Sequence, residues 1–260
     1  MSENQRLISF DLKAEMGFLK KPDINDGIYL TYNMLHKPAL LGILGAIAGM
    51  KGYEENGRFP DYYQRLKHLK TGILPLESDK GNFTKEIVSY NNSTGLASNE
   101  TGGNLIVTEQ ILLKPAYRCF LLLNPDNPDE KTLYDHILSY RSEFLPYLGK
   151  NDFSAWWINA KEYSSASRFD FKHDYKIASI FAKTEAVKDY VLENMKMAAP
   201  HTNDLMFFYF EKLPVGFDKM LFQYTYADFV YSNHTFKVCM DMSEAGDFYQ
   251  INHEDIIQLF

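Results

Sequence analysis

"HKPALLGILGAIAGMKGY", residues 36–53, is the stretch on which the fold turns: thirteen uncharged residues, Pro38 to Met50, carry three glycines inside the most helix-like part of the chain. Pro38 sits where the first turn of a helix would be, a position at which its missing N–H costs nothing. Leu40, Leu41, Ile43, Leu44 and Ile47 are apolar nearly all round, which predicts a buried rather than an amphipathic helix. Gly42, Gly45 and Gly49 fall at i, i+3 and i+7 and share one face. Each costs about 1 kcal/mol relative to alanine in a helix interior. Close approach of another backbone, from protein or from a bound polymer, would offset that cost.

Around this helix the bulk numbers set limits. The 260 residues suffice for one large domain or two small ones with a sizeable core. Hydrophobic content of 45% and aromatic content of 15% exclude disorder and favour β-rich or mixed packing. Lys and Arg number 27 against 34 Asp and Glu, a net charge of −7. That balance argues against non-specific adhesion to nucleic acid or an anionic membrane, but a local basic groove needs only a handful of cations. Cys119 and Cys239 form neither a CxxC pair nor a disulfide framework, so a reducing cytoplasm is the expected location. The start "MSENQRLISFDLKAEMG" lacks a basic segment followed by an apolar run. Thirteen apolar residues also fall short of the roughly 20 that span a bilayer, so no membrane partner is expected. In that setting the sequons at Asn82, Asn92, Asn99 and Asn233 read as accidental.

Working outward, "RLISFDLKA" (6–14) alternates apolar and polar residues and predicts an edge or half-buried strand. Residues 15–37 read as a long irregular crossing. "PDYYQRLKHLKTG" (60–72) predicts a second helix with a basic face and a glycine stop. "IVSY" (87–90) and "LIVTEQILL" (105–113) are strand-like, and the polar, glycine-rich "NNSTGLASNETGGN" (91–104) between them predicts a long protruding hairpin tip. "AYRCFLLLN" (116–124) is a strong central strand, "DEKTLYDHILSYRSEF" (129–144) an amphipathic helix, and "PYLGKNDFSAWW" (146–157) a loop leading into another strand. Strand, helix, strand, strand, helix, strand in this order predicts a βαββαβ unit with an insertion. The remainder is strand-rich: "KIASIFA" (176–182), "LMFFYFEKL" (205–213), "MLFQYTYADFVY" (220–231) and "TFKVCMDM" (235–242).

Catalytic signals are sparse. His173–Asp174 and His253 beside acids lack the spaced partners a metal site requires, so no metal is expected. "GILGAIAG" brushes against a glycine-rich nucleotide loop, but its glycines lie inside a helix rather than before one. Tyr29, Tyr32, Tyr53, Tyr62 and Tyr63 are able to stack on bases, although core packing explains any single one as well. Trp156 and Trp157, adjacent in a strand, face opposite ways, so at most one lines a site. The residues by themselves stop at a mixed α/β domain with no evident catalytic constellation.

Three segments together go further. "HKPALLGILGAIAGMKG" resembles the basic-residue-then-xLLGxLGAxxG helix of the CRISPR-associated RAMP subunit that caps the 5′ end of guide RNA in type I Cascade complexes, the Cas-five family. "AYRCFLLL" resembles that family's central strand and "PYLGKNDFSA" its YLGR loop. The hairpin at about residues 78–110 lies where the family inserts its thumb. The matches fall in family order over most of the first 160 residues, nothing is recognised after about residue 165, and the general look suggests subtype I-B.

The resemblance implies an α+β fold: a ferredoxin-like, RRM-type palm over residues 1–165 with a thumb hairpin, and a β-rich region, 166–260, packed on it. It implies a non-catalytic subunit that binds the 5′ handle of the crRNA, contacts the backbone and large subunits, and meets target DNA only through the complex, with no cofactor. The glycine face would let the helix pack close to the palm sheet while its N-terminal end faces phosphates. The RNA-binding residues expected are Lys20, Lys21, Tyr32, His36, Lys37, Lys114, Arg118, Lys150 and Asn151, with Thr94, Gly95, Gly102 and Gly103 at the thumb. Lys37 and Lys150 stand where the family often has arginine, keeping the charge but losing the planar fork. In the competing reading the chain is a metal-independent endoribonuclease of the I-C kind, cutting repeat RNA with His36 as base near Lys114, Tyr117 and Arg118.

Overall fold

A computed structural model describes residues 4–22, 27–92, 105–185, 187, 189, 206–238, 240, 242–252 and 255–260. In chain order its strands are β1 (Arg6–Ala14), β2 (Met16–Gly17), β3 (Lys70–Leu76), β4 (Lys85–Asn92), β5 (Leu105–Leu113), β6 (Ala116–Leu123), β7 (Ala155–Glu162) and β8 (Ser167–Arg168). There follow β9 (Tyr175–Ile177), β10 (Phe181–Ala182), β11 (Phe208–Phe217), β12 (Tyr224–Ser232), β13 (Thr235–Phe236), β14 (Asp247–Gln250) and β15 (Asp255–Leu259). The helices are α1 (Lys37–Ala48), α2 (Asp61–Leu66) and α3 (Pro128–Leu138). The chain is α+β and mostly sheet.

Four strands, ordered β3-β6-β1-β7 and all antiparallel, form the central sheet, with α1 following β1 and α3 following β6. Alternation along the strands assigns each side chain to a face. Ile8, Phe10 and Leu12 of β1, with Tyr117, Cys119 and Leu121 of β6, join α1 and α3 in the main core. Leu7, Phe120 and Leu122 point the other way and are covered by Tyr249, Ile257 and Leu259 of the β14–β15 hairpin. β1 is therefore a central strand buried on both sides, not the edge or half-buried strand its alternation predicts. Its polar residues are paired rather than solvated: Asp11 sits at 3% exposure within reach of Arg118 and Asn159.

Other expectations are corrected locally. The helix predicted over 60–72 ends at Leu66, because Lys70–Gly72 pair with β6 as the start of β3. The helix predicted over 129–144 ends at Leu138, after which Tyr140 takes φ +56° and the N–H groups of Glu143 and Phe144 turn to the C-terminal carbonyls of α1, on Ile47 and Ala46. "KIASIFA" splits into β9 and β10, residues 220–223 form the turn between β11 and β12, and the described residues of "TFKVCMDM" yield only β13. The insertion does form an antiparallel hairpin, β4 with β5, and its root is bound to the body where Tyr29 N–H donates to the Thr108 carbonyl and Gln110 N–H to that of Tyr29. The thumb residues Thr94, Gly95, Gly102 and Gly103 lie outside the described residues.

The loop after α3 is held by one close approach. Gly149 has φ +88°, and a Cβ there would run into the carbonyl oxygen of Phe18. Around it Phe18 N–H donates to the Leu148 carbonyl at 3.1 Å and Leu148 N–H to that of Phe153 at 2.8 Å. Gly149→Ala should lower stability in urea unfolding by at least about 2 kcal/mol, whereas Gly52→Ala, with open space around it, should stay within about 0.5 kcal/mol of wild type.

Candidate functional site

α1 shows two unlike faces. Leu40, Leu41, Leu44 and Ile47 sink into the core, while Ala39, Gly42 and Ala46 form the floor of a cleft of about 890 Å³. Gly45 receives Tyr62 of α2, whose Cβ occupies the space a side chain would need, and the Tyr62 ring lies 3.8 Å from the Cβ position of Gly42. The glycine face thus packs on α2 and the cleft rather than on the central sheet. The large aliphatic residues of the opposite face are the ones that fill the gap to the sheet. Gly49 belongs to neither face: it closes the helix in the left-handed conformation at φ +74°.

The cleft is walled by segments far apart in sequence. Phe18 and Lys20 come from the crossing after β2, Tyr147 and Lys150 from the loop fixed by Gly149, and Phe217 and Tyr224 from the β11–β12 hairpin. Tyr53, Phe144 and Leu145 make an outer lip and are 64%, 57% and 70% exposed. Tyr53 and Phe144 thus turn flat apolar ring faces to solvent at the cleft mouth.

The lining carries three lysines and two glutamates, and most of that charge is already paired. Lys150 donates to Glu109 Oε2 and to the Tyr90 hydroxyl, both at 2.8 Å, joining the loop to the middle of the β4–β5 hairpin. Burial works against the Lys150 charge, but Glu109 and Tyr90 outweigh it and hold its pKa above the ordinary lysine value. Lys51 pairs with Glu54 at 3.0 Å. Lys20 lies 3.8 Å above the Tyr29 ring and has no ion-pair partner among the described residues.

His36 caps α1. Its Nδ1 accepts from Ala39 N–H at 3.3 Å, and its ring sits edge-on to Tyr32 and Tyr224. Burial pushes its pKa down to about 3, so the ring is neutral. A neutral imidazole that accepts at Nδ1 carries its proton on Nε2 and is a hydrogen-bond donor there, not a base. Burial likewise pushes the Tyr224 hydroxyl up to about 12, which keeps it protonated.

Of the residues expected from sequence, the cleft unites Lys20, His36 and Lys150, with the exposed Asn151 following Lys150 in its loop. Lys21 stands 5.2 Å from the ring of Tyr32, which is itself 3% exposed and bonded to the Tyr226 hydroxyl, so Tyr32 supports the His36 ring instead of offering a free face. Lys37 is a correction. Its Nζ turns from the cleft to the Phe260 carbonyl at 3.0 Å, and burial, with Lys70 nearby, lowers its pKa to about 8. Lys114 occupies the turn between β5 and β6 at φ +47° and does not line the cleft. Arg118 lies on the sheet face away from α1, forked onto Asp11 at 2.6 and 2.9 Å, because even-numbered residues of β6 face the C-terminal sheets. Sequence reasoning missed Glu109, Phe144, Tyr147, Phe217 and Tyr224. Phe144 was hidden inside an overlong helix, and no local pattern announces that residues 217 and 224 return to a helix begun at residue 37.

Among the described residues no group of three His, Cys, Asp or Glu could hold a metal ion, and no helix is long and apolar enough to cross a membrane. No protein-family model and no curated protein matches the chain. Solved structures do. A chain of the type III-B Cmr-beta complex bound to cognate target RNA and AMPPnP is similar over 97% of this chain and 99% of its own, at 11% identity and a TM-score of 0.52. A CRISPR protein from Archaeoglobus fulgidus is similar over 98% of both chains at 13% identity and 0.47, and a CRISPR RNA-guided surveillance complex chain over 89% and 92% at 14% and 0.46. At such identities the likeness concerns the fold, and the first of the three carries it: this chain has the α+β fold of a protein in the type III-B Cmr-beta complex.

Proposed function

We propose that the chain is a non-catalytic crRNA-binding subunit of a CRISPR effector complex, holding the 5′ handle of the guide in the cleft along α1. The observation that carries this is the cleft itself, where Lys20 and the rings of Tyr53, Phe144 and Tyr147 converge on the α1 floor of Ala39, Gly42 and Ala46. The fold supports it, as does the resemblance of the helix, central strand and PYLGK loop to the Cas-five family. In this reading the β3-β6-β1-β7 sheet is the ferredoxin-like palm, since its strands in order of appearance stand 2-3-1-4 with helices after the first and third. The β4–β5 hairpin is the thumb, and the backbone and large subunits of a type I Cascade are the protein partners. Because Lys51 and Lys150 are paired, recognition leans on stacking of bases and on Lys20, not on a continuous basic strip.

The endoribonuclease reading finds less support. The Tyr117 hydroxyl is buried and donates to the Asn33 carbonyl at 2.6 Å, Arg118 is on the far face, and His36 presents a donor. Incubation with repeat RNA in the absence of metal should therefore leave the RNA intact. A discrete product that vanishes in His36→Asn, whose side-chain oxygen replaces Nδ1 as the N-cap acceptor, would reverse the assignment.

Purification from the native host should bring along a short RNA of uniform 5′ end together with Cascade backbone and large subunits. Recovery with type III subunits instead would reassign the complex, and recovery without RNA would refute the function. Tyr53→Ala with Tyr147→Ala should weaken handle binding by about 1–3 kcal/mol per base unstacked. Lys20→Ala should flatten the dependence of log K on log salt by about 0.7.

A further inference from the structure

A second cavity, of about 310 Å³, opens on the other side of α2 and shares Phe217 with the first: Tyr62 lines one and its neighbour Tyr63 the other. Its apolar wall is Phe59, which lies 4.8 Å from the ring of Phe222 and 5.4 Å from that of Phe217. Arg58, Lys67 and Lys219 rim it, and no carboxylate among the described residues lines it, in a chain whose net charge is −7. Arg58 is taken by Glu55 at 2.8 Å, whereas Lys67 and Lys219 have no ion-pair partner among the described residues.

The wall is built at a cost. Phe222 holds φ +54°, a conformation that bulky side chains rarely adopt. The turn around it is fixed by Asp218, whose carboxylate accepts from the N–H groups of Met220 and Leu221 at 2.8 and 2.7 Å and whose carbonyl accepts from Phe222 N–H at 3.1 Å. Strained residues held by such over-determined turns recur at ligand clamps.

We infer that this cavity is a second single-stranded RNA subsite, which takes the nucleotides adjoining those in the α1 cleft, with Lys67 and Lys219 on phosphates and the Phe59–Phe222 pair under a base. The inference rests on the proposed function and deepens it. The α1 cleft is rich in rings and poor in free cations, while the neighbouring cavity supplies two free cations beside a ring pair. A polyanion with planar bases fits the pair of cavities, because its charge and its rings are separable along one strand.

The test compares oligoribonucleotides of about four and about ten nucleotides on the full-length chain, by fluorescence anisotropy at a series of salt concentrations. The double variant Lys67→Ala, Lys219→Ala changes two exposed side chains and should keep the thermal midpoint of wild type. It should bind the short RNA as wild type does, yet bind the long one more weakly, with a salt slope smaller by about 1.4 for two lost phosphate contacts. Phe222→Gly, which keeps the turn and removes the ring, should also weaken only the long RNA. Equal binding of both RNAs by wild type and variants overturns the subsite and leaves the function standing. Failure of wild type to bind either RNA overturns both. Loss of a protein subunit from the purified complex, with RNA binding unchanged, makes the cavity a protein-docking surface and overturns the inference.

Discussion

Five hydrogen bonds converge on Asn33, and the assembly of the molecule depends on them. Its N–H donates to Glu211 of β11, its side-chain amide to the Gly81 carbonyl, its side-chain oxygen accepts from Phe83 N–H and Lys85 Nζ, and its carbonyl accepts from Tyr117 of β6. The residue is 2% exposed, so each of these groups would be costly to leave without a partner. The same Glu211 carboxylate also takes Met34 N–H and the Tyr209 hydroxyl. One polar node therefore fixes the central sheet, the root of the β4–β5 hairpin and the β11–β12 hairpin against one another, three residues before His36 begins α1. Apolar packing alone is tolerant of small displacements, and a satisfied polar network is not.

The cleft inherits its geometry from that node. Its far wall is β11 and β12, placed by Glu211; its near wall is the loop placed by the Gly149–Phe18 approach and by the Lys150–Glu109 ion pair. Glu109 is nearly fully buried, so this pair is held by geometry and desolvated neighbours rather than by long-range charge. Lys150 then acts chiefly as a strut between the loop and the middle of the hairpin. A phosphate could compete for it only by leaving Glu109 buried and unpaired, which disfavours the exchange.

Much of this architecture is legible in the sequence because local physics dictates it. Pro38 at the first turn, the aliphatic run of α1 and the β5 and β6 strands all follow from propensity and period. What could not be read is what depends on contacts distant in sequence. Alternation in "RLISFDLKA" cannot say that a C-terminal hairpin will cover the polar-looking face, and the parity that sends Arg118 away from α1 is fixed only once Tyr117 is committed to the core. Lys37 shows the same limit. Its neighbour His36 caps the helix and faces the cleft, but one residue on, the side chain projects to the opposite side and finds the Phe260 carbonyl. A count of lysines near a motif says where charge is, not which of it is already satisfied.

In the proposed function, that distinction accounts for how an acidic chain would hold a polyanion. A basic strip would need uncompensated lysines in a row, and the α1 cleft has instead two internal ion pairs and a set of rings. Stacking on rings makes no demand on net charge and survives at physiological salt, where the screening length is about 8 Å. Affinity built this way depends on the mutual placement of Tyr53, Tyr147 and the α1 floor more than on their number. In the proposed function the rigid supports behind them, the glycine-closed loop and the tyrosine seated in the helix groove, therefore shape the binding surface without touching the RNA. The two glycines of α1 and the one that caps it serve one end: Gly45 seats Tyr62, Gly42 leaves the floor open, and Gly49 turns the chain out toward the lip at Tyr53.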